Sequence, residues 1–294
     1  MSPSWLIVVA SLLFATMGVC VKLASSIYDS GEIVMYRGLI GALMIGALSG
    51  WRGEALRTRL PAQHAVRSLS GVVALCLWFY AIGGLPLATA MTLNYTSSLW
   101  LAVFMLGVAA VWRRRPSEPR LALVALVGFA GVVLVLRPTI EQDQWRHGLV
   151  GLLSGLVSAA GYLQVAALGR AGEPERRIVF YFSLGSIVGG AALTTFTGWH
   201  SHSWRGVGLL LAVGMLATAA QLMLTRAYAR GRTLVNGSLQ YLGVGFSFVF
   251  GVLFFDERVT WLATAGMVLI VVAGVYAIAM RSTAVTRALA PDRR

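Results

Sequence analysis

The hydrophobic pattern divides the chain into ten apolar stretches joined by short polar connections. Each stretch is close to the ~20 residues that a helix needs to cross a bilayer. No connection is long enough to hold a soluble domain. The pattern therefore predicts an all-α integral membrane protein with ten transmembrane helices around a central cavity. The predicted spans are 4–23, 32–50, 66–84, 86–111, 119–136, 148–168, 178–198, 205–229, 233–254 and 259–280.

The ninth span carries polar residues where lipid would disfavour them. Four small or polar residues recur there at helical spacing, namely Asn236, Gln240, Gly243 and Ser247. This spacing places them on one face of a helix. An unpaired amide in hydrocarbon costs several kcal/mol. The face is therefore predicted to contact protein or a watery cavity.

The two halves of the chain resemble each other. Leu93-Asn94-Tyr95 matches Leu239-Gln240-Tyr241 at an offset of 146, and 32–36 matches 177–181 at an offset of 145. Such spacing predicts a duplicated five-helix unit. Because five is odd, the second unit starts from the opposite side of the membrane, an arrangement typical of secondary transporters. The predicted units are 1–143 and 144–281, followed by a cytoplasmic tail at 282–294.

Composition and charge agree with a membrane protein. Of 294 residues, 57% are hydrophobic and only 12% are charged, against roughly 25% charged in soluble domains. The net charge is +13, but most arginines flank the spans on one side, and Arg137, Arg146, Arg205 and Arg258 lie on the other. This bias places both termini in the cytoplasm. It favours lipid headgroups as the partner of the basic residues and argues against nucleic acid.

Amide and aromatic side chains within the spans are the candidates for substrate binding. An amide both donates and accepts hydrogen bonds, which suits a neutral or zwitterionic ligand, and aromatic faces suit apolar groups or cations. The alternatives are hydrogen bonding between helices for the amides and an interfacial belt for the aromatic residues. The candidates are Trp78, Tyr80, Asn94, Tyr95, Trp100, Tyr162, Gln164, Gln221, Asn236, Gln240 and Tyr241.

Charged residues within spans mark structural or gating positions. Glu32 and Arg37 are expected to be structural or to form an extracellular gate, whereas Lys22 and Arg226 lie near span ends and can reach water. No acidic residue lies in the middle of a span, which favours facilitated transport over proton exchange. No catalytic, nucleotide-binding or metal-binding motif stands out, so no enzyme activity and no cofactor are expected.

The run LQYLGVGFSFVFGVLFFDERVTW, the arginine in the second span and the five-span repeat resemble the EamA-type branch of the drug/metabolite transporter superfamily. The resemblance covers essentially the whole chain. Within the family, the chain is most similar to YddG-like amino-acid exporters. Two features depart from the family pattern. Ser98 and Val244 stand where a proline often follows the tyrosine, and Arg113-Arg114-Arg115 replaces the acidic turn Asp256-Glu257 of the second unit.

The resemblance implies a multi-pass protein of the bacterial inner membrane that exports small metabolites by alternating access. Neutral or aromatic amino acids are the expected substrates, and the expected mechanism is facilitative uniport. The alternatives are another metabolite class, such as nucleosides or amphiphilic drugs, or a membrane-embedded enzyme. A small-molecule substrate and the lipid bilayer are the expected partners, with no obligate protein partner.

Overall fold

The structure is a computed structural model that describes most of the chain. The described residues are 3–97, 99–101, 103–104, 127–128, 130–131, 133–134, 144–230, 240, 242–258, 260–273 and 276.

Long helices dominate this part of the chain, which contains no strand. They are α1 (Pro3–Ala24), α2 (Ser30–Trp51), α3 (Pro61–Gly84), α4 (Leu87–Tyr95), α5 (Trp145–Arg170), α6 (Glu175–Thr197), α7 (Trp204–Arg230), α8 (Leu242–Phe255) and α9 (Trp261–Ala273). Six of them, α1 to α3 and α5 to α7, are long and apolar enough to cross a membrane. The protein is therefore an all-helical integral membrane protein.

The observed helices agree with the predicted spans to within about three residues at most boundaries. The largest difference at a helix start in the first half is in α3, which begins at Pro61 rather than at 66. Proline is favoured in the first turn of a helix because no amide proton is needed there. Most of the predicted span 119–136, and the first residues of 233–254, lie outside the described residues.

α2 and α6 cross closely because small residues line their contact. A Cβ atom on Gly38 would lie 2.6 Å from the carbonyl oxygen of Ser183, and one on Gly190 would lie 2.5 Å from the amide nitrogen of Met35. In lipid, where water does not drive helices together, such close backbone packing is a main source of helix association. The crossing therefore fixes α2 against α6.

The helix pairs form a symmetric pattern. α2 packs on α6 at the centre of this pattern. The contact of α1 with α7 corresponds to that of α3 with α5, and the contact of α2 with α7 corresponds to that of α3 with α6. In the same way, the contact of α1 with α8 corresponds to that of α5 with α4. Exchanging α1 to α4 with α5 to α8 leaves this set of pairs unchanged. The two described halves of the bundle thus share these main contacts.

α4 lies in the middle of the bundle, and all nine of its residues are buried. Its neighbours include α5 and α8. The predicted polar face of the ninth span also points inward, since Gln240, Gly243 and Ser247 are buried. A Cβ atom on Gly243 would lie 2.6 Å from the hydroxyl of Tyr95. Large apolar side chains such as Leu253 and Phe254 face outward, where lipid is expected.

Candidate functional site

A central cavity lies between helices of both halves. Its enclosed volume is about 50 Å³, and the space between its wall atoms, counted out to the open mouth, is about 520 Å³. Its walls come from α1, α3, α4, α5, α6 and α7, together with Gln240. The lining residues are Phe14, Arg67, Gly71, Ala74, Leu75, Trp78, Asn94, Tyr95, Ser158, Gly161, Tyr162, Phe182, Gln221, Leu224 and Gln240.

Six of the predicted binding residues line this cavity, namely Trp78, Asn94, Tyr95, Tyr162, Gln221 and Gln240. Five come from four different helices, α3, α4, α5 and α7, and Gln240 precedes α8. Residues that are up to 162 positions apart in sequence therefore share one site. The arrangement is that of a ligand cavity between helices, mostly apolar with a few converging polar groups.

Three predicted residues lie elsewhere. Tyr80 is on the outside of α3, 44% exposed, with its ring stacked on His147 at a centroid distance of 4.6 Å. Two positions along a helix turn a side chain by about 200°, so Tyr80 faces away from the cavity when Trp78 faces it. The same geometry turns Gln164 away from the cavity that Tyr162 lines.

The third is Trp100, which is partly buried and is not a lining residue. It follows the turn at Thr96, where α4 ends, so the periodicity of α4 does not predict its direction. Asn236 and Tyr241, which were also predicted to bind substrate, lie outside the described residues.

The amide groups of the cavity also tie helices together. Asn94 on α4 donates from its amide nitrogen to the hydroxyls of Ser154 and Ser158 on α5, at 3.0 and 3.2 Å. Gln240 accepts a hydrogen bond from the hydroxyl of Tyr228 at 3.0 Å and donates to that of Tyr162 at 3.4 Å. These bonds give both residues the helix-joining role that was the alternative to substrate binding.

Arg67 is a cavity residue that the sequence did not single out. The sequence placed Arg67 at the very start of a span, among the arginines that set topology. In the structure α3 begins at Pro61, six positions before Arg67. The side chain is only 4% exposed, and its guanidinium carbon lies 4.2 Å from the centroid of the Phe182 ring. Gly71 leaves the space it occupies, since a Cβ atom there would lie 1.9 Å from its Nη1 atom.

Arg37 approaches the same ring from α2. Its guanidinium carbon lies 5.1 Å from the centroid of Phe182, and the side chain is 3% exposed. Arg37 forms no ion pair with Glu32 or with any other residue in the described part of the chain. It packs toward the middle of the bundle instead.

Glu32 pairs with histidines at one end of the bundle, which we call the acidic end (the connections 25–29, 85–86, 198–203 and 256–258). Its carboxylate lies 2.9 Å from Nδ1 of His200 and 3.7 Å from Nε2 of His202. Burial, together with the charge of Glu32, raises the pKa of Tyr28 above its usual range. Glu32 thus joins the start of α2 to the connection between α6 and α7.

A second network lies at the opposite end, which we call the basic end (the connections 52–60 and 171–174). Glu173 accepts hydrogen bonds from Thr58 at 2.9 Å and Arg177 at 3.1 Å, and lies 3.3 Å from His64. Burial by itself raises the pKa of Glu173, but the hydrogen bonds from Thr58 and Arg177 and the nearby His64 outweigh it, and the pKa lies below its usual range. This network joins the two halves where α3 and α6 begin.

Comparison with known proteins gives the family. The EamA-like transporter family matches residues 1–137. The pseudopaline exporter of Pseudomonas aeruginosa is 32% identical over 268 residues, covering 91% of this chain and 93% of that protein. The chain belongs to the EamA-like transporter family.

More distant relatives of this transporter carry other names. The riboflavin transporter of Rhizobium johnstonii is 27% identical, over 76% of this chain and 72% of that protein. The S-adenosylmethionine uptake transporter of Rickettsia bellii is 21% identical, over 88% of this chain and 87% of that protein. A solved crystal structure superposes with a TM-score of 0.69 at 20% identity, covering 95% of this chain and 98% of the other. That likeness shows the fold alone.

Proposed function

We propose that this membrane transporter exports small metabolites, with neutral or aromatic amino acids first among them, by alternating access. The central cavity carries the proposal, because its polar and aromatic residues come from both halves of the chain. The name of the Pseudomonas relative, an exporter, supports the direction of transport. The resemblance to amino-acid exporters supports the substrate class.

The proposed architecture is that of two inverted five-helix repeats with both termini in the cytoplasm of a bacterial cell. The sequence offsets of 145 and 146 support it, as does the symmetric set of helix pairs. Rocking of one half against the other is the usual way in which such repeats expose a site near the bilayer midplane to each side in turn. The positive charge of the basic end would face the cytoplasm.

The networks at the two ends are the proposed gates. At the acidic end, Glu32 with its histidines and Lys22 with Glu257 join helices across the bundle. At the basic end, Glu173 makes the corresponding contacts. Alternating access requires that contacts at one end open while those at the other end hold, and polar contacts of this kind can be exchanged for water.

We further propose that transport is facilitative and that Trp78, Asn94, Tyr95, Tyr162, Gln221 and Gln240 bind the substrate. No aspartate or glutamate is among the described residues that line the cavity. Proton-coupled carriers usually place a titratable acid on the transport path. The absence of such an acid from the described lining therefore favours movement down the substrate gradient.

A counterflow experiment tests the proposal. Purified protein in liposomes loaded with unlabelled solute should accumulate the labelled form of the same solute, without an imposed proton gradient, while empty liposomes do not. The panel would contain amino acids, nucleosides, riboflavin and cationic dyes. Accumulation that occurs only under a proton gradient would contradict the facilitative mechanism, and no accumulation of any solute would contradict the proposed transport.

A second substrate class is favoured by the relatives named for riboflavin and S-adenosylmethionine. The aromatic side chains of the cavity, including Trp78, Tyr95 and Phe182, provide faces on which a flat heterocycle can stack. Accumulation of riboflavin or nucleosides but of no amino acid in the same panel would select this alternative.

A further inference from the structure

We infer that the central cavity is an anion site, in which Arg67 receives the oxyanion group of a net-negative organic substrate and Arg37, which packs against the same Phe182 ring, adds positive charge nearby. Small di- and tricarboxylates, amino dicarboxylates and phosphate esters share this chemistry. The inference rests on the proposed transport function and specifies the charge of its substrate. The argument starts from the polar groups that the protein itself leaves without partners.

The unpartnered polar groups of the cavity can all donate a hydrogen bond, and two of them, on Arg67 and Trp78, can only donate. Nε of Arg67, Nε1 of Trp78 and the hydroxyl of Tyr95 are buried and form no hydrogen bond with any described residue. Each belongs to a side chain that is at most 5% exposed. Buried polar groups almost always have a partner. Three unpartnered donors that line one cavity therefore indicate a ligand rich in acceptors.

The acceptor side of the cavity is neutral. The amide oxygens of Asn94 and Gln221 accept no hydrogen bond from a residue in the described part of the chain, so they are open to an amino group, as are the hydroxyl oxygens of the lining. No carboxylate is found among the described lining residues. A cationic ligand would therefore meet arginine without any opposite charge to stabilise it.

The charge of the two arginines is not balanced by the nearby acids. Glu32, Glu173 and Glu257 are engaged at the ends of the bundle with His200, Arg177 and Lys22. Neither Arg37 nor Arg67 forms an ion pair within the described residues. A buried charge without a partner is costly. An anionic substrate would supply the missing charge each time it occupies the cavity.

The position of Arg67 suits this role. Its guanidinium lies between α3 and α5, where Gly71 leaves room for it and a Cβ atom on Gly161 would lie 3.7 Å from Nη1. The ring of Phe182 covers one face of the guanidinium at 4.2 Å. A guanidinium group stacked in this way still has its edge for hydrogen bonding, and guanidinium edges bind carboxylates and phosphates through two parallel hydrogen bonds.

The arrangement also discriminates between substrates. A neutral zwitterion brings one carboxylate, but its ammonium group enters a cavity that already holds an excess of positive charge. A substrate with one more negative charge balances Arg67 and Arg37 more fully. We therefore expect glutamate or citrate to bind more tightly than leucine, and lysine not to bind measurably.

Binding is tested by thermal unfolding of the purified full-length protein at constant chloride and ionic strength. L-Glutamate, citrate and glycerol 3-phosphate are compared with L-leucine and L-lysine. The expected result is a saturable rise in Tm with at least one of the three anions, and none with lysine. Citrate and glycerol 3-phosphate then distinguish a carboxylate from a phosphate as the preferred group. Stabilisation by leucine or lysine alone would overturn the inference.

Variants assign the effect to Arg67. Arg67→Gln should abolish stabilisation by the anion and should unfold at the same or a higher Tm without ligand, because it removes an unbalanced buried charge. Arg67→Lys keeps the charge but not the two-point contact, and should weaken binding at least tenfold without abolishing it. The matched control is Arg226→Gln, an exposed arginine on α7, which should bind as the wild type does. Unchanged binding by Arg67→Gln would overturn the inference.

Counterflow separates this inference from the proposed transport. Loss of anion accumulation in Arg67→Gln, with wild-type rates in Arg226→Gln, would support both. Accumulation of neutral amino acids at equal rates by wild type and Arg67→Gln would leave the transport proposal standing and reject the anion site. Anion binding without accumulation of any solute would uphold the site and reject transport.

Discussion

Lys22 on α1 and Glu257, in the turn after α8, form an ion pair across 235 positions of the chain. Lys22 also donates to the carbonyl oxygen of Leu85 at 2.6 Å, and the Glu257 carboxylate accepts from the amide nitrogen of Leu87 at 2.7 Å. A carboxylate is well placed at the amino end of α4, where unpaired amide groups carry partial positive charge. The pair therefore fastens α1, α4 and α8 together at the acidic end.

Replacing Glu257 by glutamine should destabilise the protein. The change leaves the charge of Lys22 without its partner, although the side chain is only 19% exposed. A loss of about 2 kcal/mol is expected for a hydrogen-bonded charge pair of this kind. The lower Tm would be measured by thermal unfolding in detergent.

The neighbouring Asp256→Asn variant is the control for Glu257→Gln. Asp256 is exposed and has a φ of 48°, a conformation that asparagine tolerates well. The Asp256→Asn variant should keep the wild-type Tm. Equal losses in the two variants would mean that the turn as a whole, rather than the ion pair, carries the effect.

Gly38→Ala should disrupt the crossing of α2 and α6. Its Cβ atom would lie 2.6 Å from the carbonyl oxygen of Ser183 and 2.8 Å from the amide nitrogen of Ile187, so the backbones must separate. Forcing extra atoms into a packed contact costs about 1–3 kcal/mol. The loss would appear as a lower Tm and as reduced transport in the same preparation.

Gly46→Ala, on the same helix, gives the matched comparison. A Cβ atom at Gly46 meets nothing within 4 Å. Alanine is favoured over glycine within a helix by up to about 1 kcal/mol. This variant should therefore be as stable as the wild type or slightly more stable, and a loss equal to that of Gly38→Ala would refute a contact-specific effect.

The network around Glu173 should make the folded protein less stable as the pH falls into the acid range. The pKa of Glu173 is lowered in the folded protein, chiefly by hydrogen bonds that outweigh the effect of burial. Its contribution to stability is therefore complete above the ordinary glutamate pKa of about 4.3 and is lost as the pH falls below it. The Tm difference between wild type and Glu173→Gln should be largest at neutral pH and should shrink in acid.

Glu54→Gln serves as the control for this pH profile. The Glu54 side chain is 47% exposed and pairs with Arg176 at the surface, where an ion pair contributes little. The Tm of Glu54→Gln should therefore follow the Tm of the wild type over the whole pH range. A Glu173→Gln profile that runs parallel to the wild type into acid would show that Glu173 does not titrate as inferred.

Trp78→Phe should weaken substrate binding, whereas Tyr80→Phe should not. Both changes remove one hydrogen-bond donor from α3, but Trp78 lines the cavity and Tyr80 lies outside it. Loss of one hydrogen bond to substrate corresponds to about 0.5–1.5 kcal/mol, roughly a two- to tenfold rise in the concentration for half-maximal transport. Concentration-dependent counterflow measures this value. A similar rise in both variants would place the effect outside the cavity.

The sequence by itself determined which segments are helical and that they belong in a membrane. Hydrophobicity sums along contiguous residues, so the long helices were predicted to within a few residues at most boundaries. It also determined that Gln240, Gly243 and Ser247 share a buried face, because their helical spacing is local and an amide exposed to lipid is costly wherever it lies.

Only the tertiary structure decided how each helix is rotated and which distant charges meet. The choice between Trp78 and Tyr80 depends on where α5 and α6 pack against α3, and local sequence does not contain that information. Arg67 was grouped with the topology signals for the same reason. Because α3 begins at Pro61, Arg67 lies within the helix, and the packing of α3 places its side chain in the cavity. The pairing of Lys22 with Glu257 likewise exists only because the packed bundle brings its first and eighth helices together.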